Sequence, residues 1–271
     1  MTIKEFHTFL VSTFGEKSQD IFELSDNDIS LKIEKINEIN DKNLQSTQID
    51  KCKLTCNAKK FRQDIPFWTG SIKKRIMVIS QDAGKDDEKN LVNCVFTLQL
   101  AAINKEEYIS SHKTHKAYYE IFKNIGGDNF LKTIYFTDIV KCAFSMDNKI
   151  KVEECVCGEK IFDEISIVNP KVIILMGTPA MKTFIKIAKN KSFIEIENKK
   201  KELSHINKNK NSSLIFREFI YDESINVFCI PHFVGDLRIG KEYKNGFEKF
   251  KENCLSEISE CIKNIGKSEN L

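Results

Sequence analysis

The chain has no run approaching the roughly 20 apolar residues that a membrane helix requires, and its start lacks a signal-peptide pattern. These absences argue against membrane and secreted readings and predict a cytoplasmic protein. A large charge excess is also missing: 42 Lys and Arg stand against 39 Asp and Glu, a formal net charge of +3. Charge alone therefore announces no nucleic-acid partner, and any basic surface must be local. No internal repeat is present. The chain does have 271 residues, 41% of them apolar and 30% charged, which supplies a real core and suits one generous domain or two small ones. Nine cysteines in such a chain point to metal or cluster ligation for some and burial for others, rather than to a disulfide framework.

Residues 1–50 read as an N-terminal helical extension, with Ile3, Phe6, Leu10 and Phe14 at helical spacing and a second stretch through Leu31, Ile33, Ile36 and Ile39. The main body is then residues 51–271. Lys51–Gly70 reads as irregular, punctuated by Pro66 and Gly70. Beyond it, short β-branched or apolar runs alternate with helical patterns. Strands are expected at Arg75–Ser80, Thr133–Thr137, Lys171–Met176, Leu214–Tyr221 and Asn226–Ile230. Helices are expected at Leu91–Ile103, Lys116–Ile125 (stopped by Gly126-Gly127), Val152–Val168 (broken by Pro170), from Thr178 with Pro179 in its first turn, and from about Lys244 onward. Apolar strands separated by helices predict an α/β fold, a mostly parallel sheet sandwiched between helical layers. Lys189–Lys210, rich in Lys and Asn, reads as a solvated insertion.

Ligands of open α/β sheets bind beyond the carboxyl ends of the strands. Ser80-Gln81-Asp82-Ala83-Gly84 follows the first strand, and Asp138-Ile139-Val140-Lys141-Cys142 the second. Gly177-Thr178-Pro179 follows the third, and Pro231-His232 through Arg238 the last. Asp82, Asp138 and His232 are thus expected on one rim, which favours an active site. Cys52 and Cys56 precede the first strand, Cys142 follows the second, and Cys157 lies in the next helical pattern on the face of Ile161, Ile165 and Val168. A thiolate on an internal face suits a buried cluster better than a surface zinc site.

The run Tyr135-Phe136-Thr137-Asp138-Ile139-Val140-Lys141-Cys142-Ala143-Phe144, the cysteine thirteen residues before Pro170-Lys171-Val172-Ile173-Ile174-Leu175-Met176-Gly177, and the upstream Cys pair resemble the iron–sulfur (family 4-like) branch of the uracil-DNA glycosylase superfamily. The resemblance covers roughly Lys51 to Phe250. It implies a three-layer α/β/α sandwich around a four-stranded, mostly parallel sheet, with a [4Fe–4S] cluster held by Cys52, Cys56, Cys142 and Cys157. The first Cys pair departs from the pattern, with three intervening residues where the family usually has two.

The activity so implied is a monofunctional DNA glycosylase, a monomer that flips a nucleotide out of single- or double-stranded DNA and hydrolyses its N-glycosidic bond. Asp82 would stabilise the positive sugar and orient water, although an acid here resembles family 1 more than the iron–sulfur branch. His232 would hydrogen-bond O2 of the departing base, a kind of donor typically worth about 2.7–4 kcal/mol. Gln81 and Phe96 are candidates for base recognition, Phe96 by stacking. Leu237 is a candidate wedge, Arg238 a phosphate contact, and Lys141, Lys241 and Lys244 candidate electrostatic footing. Asp138 is the informative departure, since the family usually has asparagine there. An ionised carboxylate opposes O4 of uracil acceptor to acceptor, whereas a protonated one donates to N3 of cytosine and accepts from its N4 amino group. A cytosine-type base is therefore expected, and a modified, phage-type one avoids the toxicity of excising ordinary cytosine. Three readings stay open beside it: a uracil-DNA glycosylase of base excision repair in which Asp138 merely caps a loop, a non-catalytic DNA-binding protein of the same fold, and a zinc site in an unrelated α/β protein.

Overall fold

The computed structural model describes residues 61–63, 68, 72–81, 113–140, 142–144, 160–190, 199–202, 215–221, 225–230, 248 and 250–268. The apolar runs form β2 (Ile76–Ser80), β3 (Ile134–Asp138), β5 (Val172–Met176) and β8 (Ile225–Ile230). Every residue of β3 and β5 is buried, as parallel strands covered on both faces require. These four strands pair parallel in the order β3-β2-β5-β8. The sheet does not stop there. Beyond β8 it continues antiparallel through β7 (Ile215–Tyr221) to an edge strand β6 (Lys199–Glu202), giving six strands around the four-stranded parallel centre. A separate two-stranded ribbon pairs β1 (Phe61–Gln63) antiparallel with β4 (Cys142–Phe144).

Helices α1 (Lys113–Gly126) and α2 (Phe130–Thr133) precede β3, α3 (Lys160–Val168) precedes β5, and α4 (Thr178–Asn190) follows it. A π-helical turn, Lys251–Leu255, leads into α5 (Ser256–Ser268), which packs against α1. Alternation along β3 separates the two helical layers. Phe136 meets Phe122 of α1 edge-on, ring centroids 5.1 Å apart, and Phe130 of α2. Tyr135, on the opposite face, hydrogen-bonds Glu164 of α3. Phe162 of α3 stacks on Phe184 of α4 at 5.4 Å, so those two helices lie together. Each such ring pair contributes about 0.5–1.5 kcal/mol beyond its area burial. Cys229 and Cys254 are buried in this core, in keeping with cysteines kept for packing.

Several expectations need correction. Lys51–Gly70 contains strand β1, and Lys189–Lys210 contains strand β6; a three-residue and a four-residue polar strand carry no readable period. Thr133 closes α2 instead of opening β3. The N-terminal extension, the predicted helix at Leu91–Ile103 and the first part of Val152–Val168 lie outside the described residues. Among the described residues no helix is long and apolar enough to cross a membrane.

The expected stop of α1 is present and tight. Gly127 sits at φ 78°, where its N–H donates to Lys123 O at 2.9 Å, and Thr133 Oγ1 donates to Gly126 O at 2.9 Å. A Cβ on Gly126 would stand 2.7 Å from Phe130 Cβ, 2.8 Å from Thr133 Oγ1 and 2.9 Å from Ile134 Cδ1. The α1–α2 corner therefore closes only over a hydrogen at this position. Gly126→Ala is expected to destabilise the protein by about 1–3 kcal/mol through overpacking. An unchanged urea midpoint would show that the corner gives way freely.

Candidate active site

The site arises from register. Ile76 of β2 is level with Ile134 of β3 and Val172 of β5, and Val172 is level with Asn226 of β8. The strands therefore finish level as well: Ser80 pairs with Asp138, and Met176 with Ile230. Ser80 Oγ meets Met176 Sδ at 3.8 Å and joins the two pairs into one rim. The chain runs from β2 outward to β3, then crosses back over β2 to β5. The topological switch point thus lies between β2 and β5, where a crevice at the carboxyl ends is the expected binding place.

Backbone hydrogen bonds extend this rim by one residue. Ile139 N–H donates to Ser80 O at 3.0 Å and Val140 N–H to Gln81 O at 3.1 Å, so the loops after β2 and β3 leave side by side. Gly177 N–H donates to Ile230 O at 2.8 Å and ties the start of α4 to the end of β8. The ends of β2 and β8 flank β5, two strand spacings or about 10 Å apart.

Asp138 is 1% exposed, at the last position of β3 and on the same face as Phe136. Burying a carboxyl group here is costly unless something polar answers it, which makes the position one of specific chemistry. Gln81 is half-buried just past the end of β2. These two predicted residues are brought together with Ser80. Asp82 and His232 lie outside the described residues, but the strand ends that precede them share the rim. Phe96, Lys141, Leu237, Arg238, Lys241 and Lys244 also lie outside them.

Of the four predicted cluster ligands only Cys142 is described, in β4, with Gln63 opposite it in register. Cys52, Cys56 and Cys157 fall outside the described residues, among which no group of three or more His, Cys, Asp or Glu is placed to hold a metal ion.

One polar group went unread in the sequence. Glu164 of α3 is fully buried, and its Oε2 accepts from Tyr135 Oη at 3.1 Å. Trp68 stacks on Tyr135 at 5.6 Å and seals the pair. A glutamate reads as surface by type, yet Glu164 stands three residues after Ile161 and four before Val168, on the apolar stripe itself. Tyr135→Phe removes a donor from a buried carboxyl group and is expected to cost about 1–3 kcal/mol. The double variant Tyr135→Phe/Glu164→Leu should recover much of that loss in the same urea titration, because it removes the carboxyl group that the single variant deprives of its donor; equal losses would deny the coupling.

No curated protein matches the chain. A family model described as the Uracil DNA glycosylase superfamily matches residues 67–250, from just before Trp68 through all four central strands and both outer loops of the rim. The match takes in well over half of the chain, and the parallel sheet and shared rim agree with it. The chain belongs to the uracil-DNA glycosylase superfamily, whose members are glycosylases that act on DNA.

Proposed function

We propose that this protein is a monofunctional DNA glycosylase that removes a cytosine-type base, modified as in phage DNA, and leaves an abasic site. The observation that carries the choice of base is Asp138: a carboxyl group, 1% exposed, level with Ser80 at the rim where the superfamily resemblance leads one to expect an asparagine. In the complex Asp138 and N3 of the base hold one proton between them, while the second carboxyl oxygen accepts from the N4 amino group. Uracil offers N3–H and O4 instead, and to the ionised carboxylate it presents an acceptor to an acceptor. Gln81 sits on the neighbouring strand end to complete the contacts, and Phe96 stacks on the extruded ring.

Hydrolysis breaks the bond between the sugar C1′ and the base nitrogen. Electrons flow into the base as C1′ becomes cationic. Asp82, carried on the loop after β2, stabilises that charge and orients water for addition to C1′. His232, carried after β8, donates to O2 of the departing base. The proton lost by the water finishes on the base. Leu237 fills the gap left in the stack, while Arg238 and Lys141 hold phosphates. Because ordinary cytosine must be spared, such an enzyme fits defence against foreign DNA.

Cys52, Cys56, Cys142 and Cys157 form a donor set suited to a [4Fe–4S] cluster, whose chemistry here is structural: four thiolates pin separate segments of chain. The support for this reading is the donor set and the resemblance that suggests it; in the ribbon Cys142 lies opposite Gln63, and the chain back towards Cys56 leaves from the Phe61–Phe144 end.

Two experiments test the proposal. Oligonucleotides carrying uracil, cytosine and modified cytosines are expected to yield abasic sites for a cytosine-type base, with Asp138→Asn moving the preference towards uracil. Cleavage of uracil alone by the unaltered protein, or no shift in the variant, would overturn the pocket reading; DNA binding without abasic sites on any member of the set would overturn the enzymatic one. The purified protein is expected to be brown and to hold about four irons per chain, with the colour lost in Cys142→Ser. Zinc in place of iron would dismiss the cluster.

A further inference from the structure

The edge strand β6 reads Lys199-Lys200-Lys201-Glu202. Lysine on a sheet edge commonly guards against pairing with other chains, and Lys199, opposite Glu218, suits that purpose. Lys200 does not. It stands directly opposite Arg217 in the β6–β7 register, and like charges at directly opposite positions generally cost stability. A guard needs no such pair, but an anion between the two cations turns the cost into a gain.

Register also fixes where this pair lies. Lys200 is level with Arg217, Cys229, Leu175, Ile79 and Thr137, in one row across the whole sheet. β6 runs in the same direction as β8, both being antiparallel to β7. Lys201 is therefore one step further towards the carboxyl ends, in the row of Met176, Ser80 and Asp138. The lysine strand belongs to the rim of the candidate active site, three strand spacings or about 14 Å beyond β5. That distance is about four base steps along a nucleic-acid strand.

Charge distribution agrees. Lys189–Lys210 holds seven lysines against three glutamates, a net +4 in a chain whose total is +3, so the remaining residues together are net acidic. A protein acting on a polyanion with so little charge overall has to concentrate it.

We infer that β6, together with Arg217 of β7, is a phosphate-backbone contact that holds DNA about four nucleotides from the extruded base. The inference rests on the chain acting on DNA, as its superfamily does. The test is DNA affinity across a salt series, measured by anisotropy with a labelled duplex and a labelled single strand. Lys200→Gln/Lys201→Gln is expected to flatten the slope of log affinity against log salt by about 2 on duplex, near 0.9 per lost phosphate contact, and by about 1.4 on single strands. Lys263→Gln/Lys267→Gln, removing charge from exposed positions on α5, should leave the slope unchanged. An unaltered slope in the β6 variant, or an equal change in the α5 variant, would overturn the inference while leaving DNA action intact. Failure of the unaltered protein to bind DNA at all would overturn both. Lys200→Gln alone supplies a readout independent of the double variant. It should raise the melting temperature of the free protein at low salt while weakening DNA binding, and a rise without weaker binding would reduce the strand to an edge guard.

Discussion

Ile76 of β2 stands level with Ile134 of β3 and with Val172 of β5, and Val172 in turn with Asn226 of β8. Strands of nearly equal length that share one row near their start also share one near their end, and that shared end is the candidate site. The alignment is held by burial on both faces: a slip of one residue in β3 would turn Phe136 away from Phe122 and Phe130 and send Tyr135 away from Glu164. The packing that fixes register in the middle of the sheet thereby fixes which residues reach the rim. Asp138 lies beside Ser80 because Phe136 lies among phenylalanines two residues earlier.

The centre of the fold is legible in the sequence because its strands carry a strong signal. Lys171–Met176 is an almost unbroken apolar run between a proline and a glycine, and a β5 buried in all five positions is the physical counterpart of that run. The stop of α1 is legible for a different reason, since Gly126 and Gly127 meet a steric demand that other residues cannot. The edges are not legible. Strand β6 consists of three lysines and a glutamate, a composition that reads as solvated loop, and only pairing with β7 makes it a strand. Strand β1 is three residues long and owes its form to β4. In both cases tertiary pairing, not local preference, decides the conformation.

The candidate rim residues and the buried Glu164 divide along the same line. Ser80, Gln81 and Asp138 are legible from their places at or just past a strand end, because strand ends are set by topology and topology by the alternation of runs. Glu164 is hidden by its residue type, which suggests solvent. Its spacing from Ile161 and Val168 nevertheless places it on the inward face of α3, where a carboxyl group needs a donor. That donor, Tyr135, comes from a strand 29 residues away, and no local pattern announces it. A charged residue on an apolar stripe signals a distant partner, and the structure supplies it.

Burial of polar groups at such a rim has a bearing on selectivity. A pocket of purely apolar walls separates bases that differ by one exocyclic group only weakly, whereas a site that hydrogen-bonds the correct base rejects the wrong one by leaving buried polar groups unanswered. Uracil and cytosine have nearly the same outline and differ in the polarity of two adjacent edge positions, so discrimination between them has to be electrostatic. A carboxyl group at position 138 and an amide at the same place present different patterns to that edge. Under the proposed role of Asp138, the cost of enclosing it is part of the selection: a base of matching pattern offsets more of it than a mismatched one. Extrusion itself costs a few kcal/mol, and a base that opposes the carboxyl group acceptor to acceptor returns less of that cost. Under that proposal, the packing that aligns the sheet also decides which carboxyl group stands at the rim to meet the base.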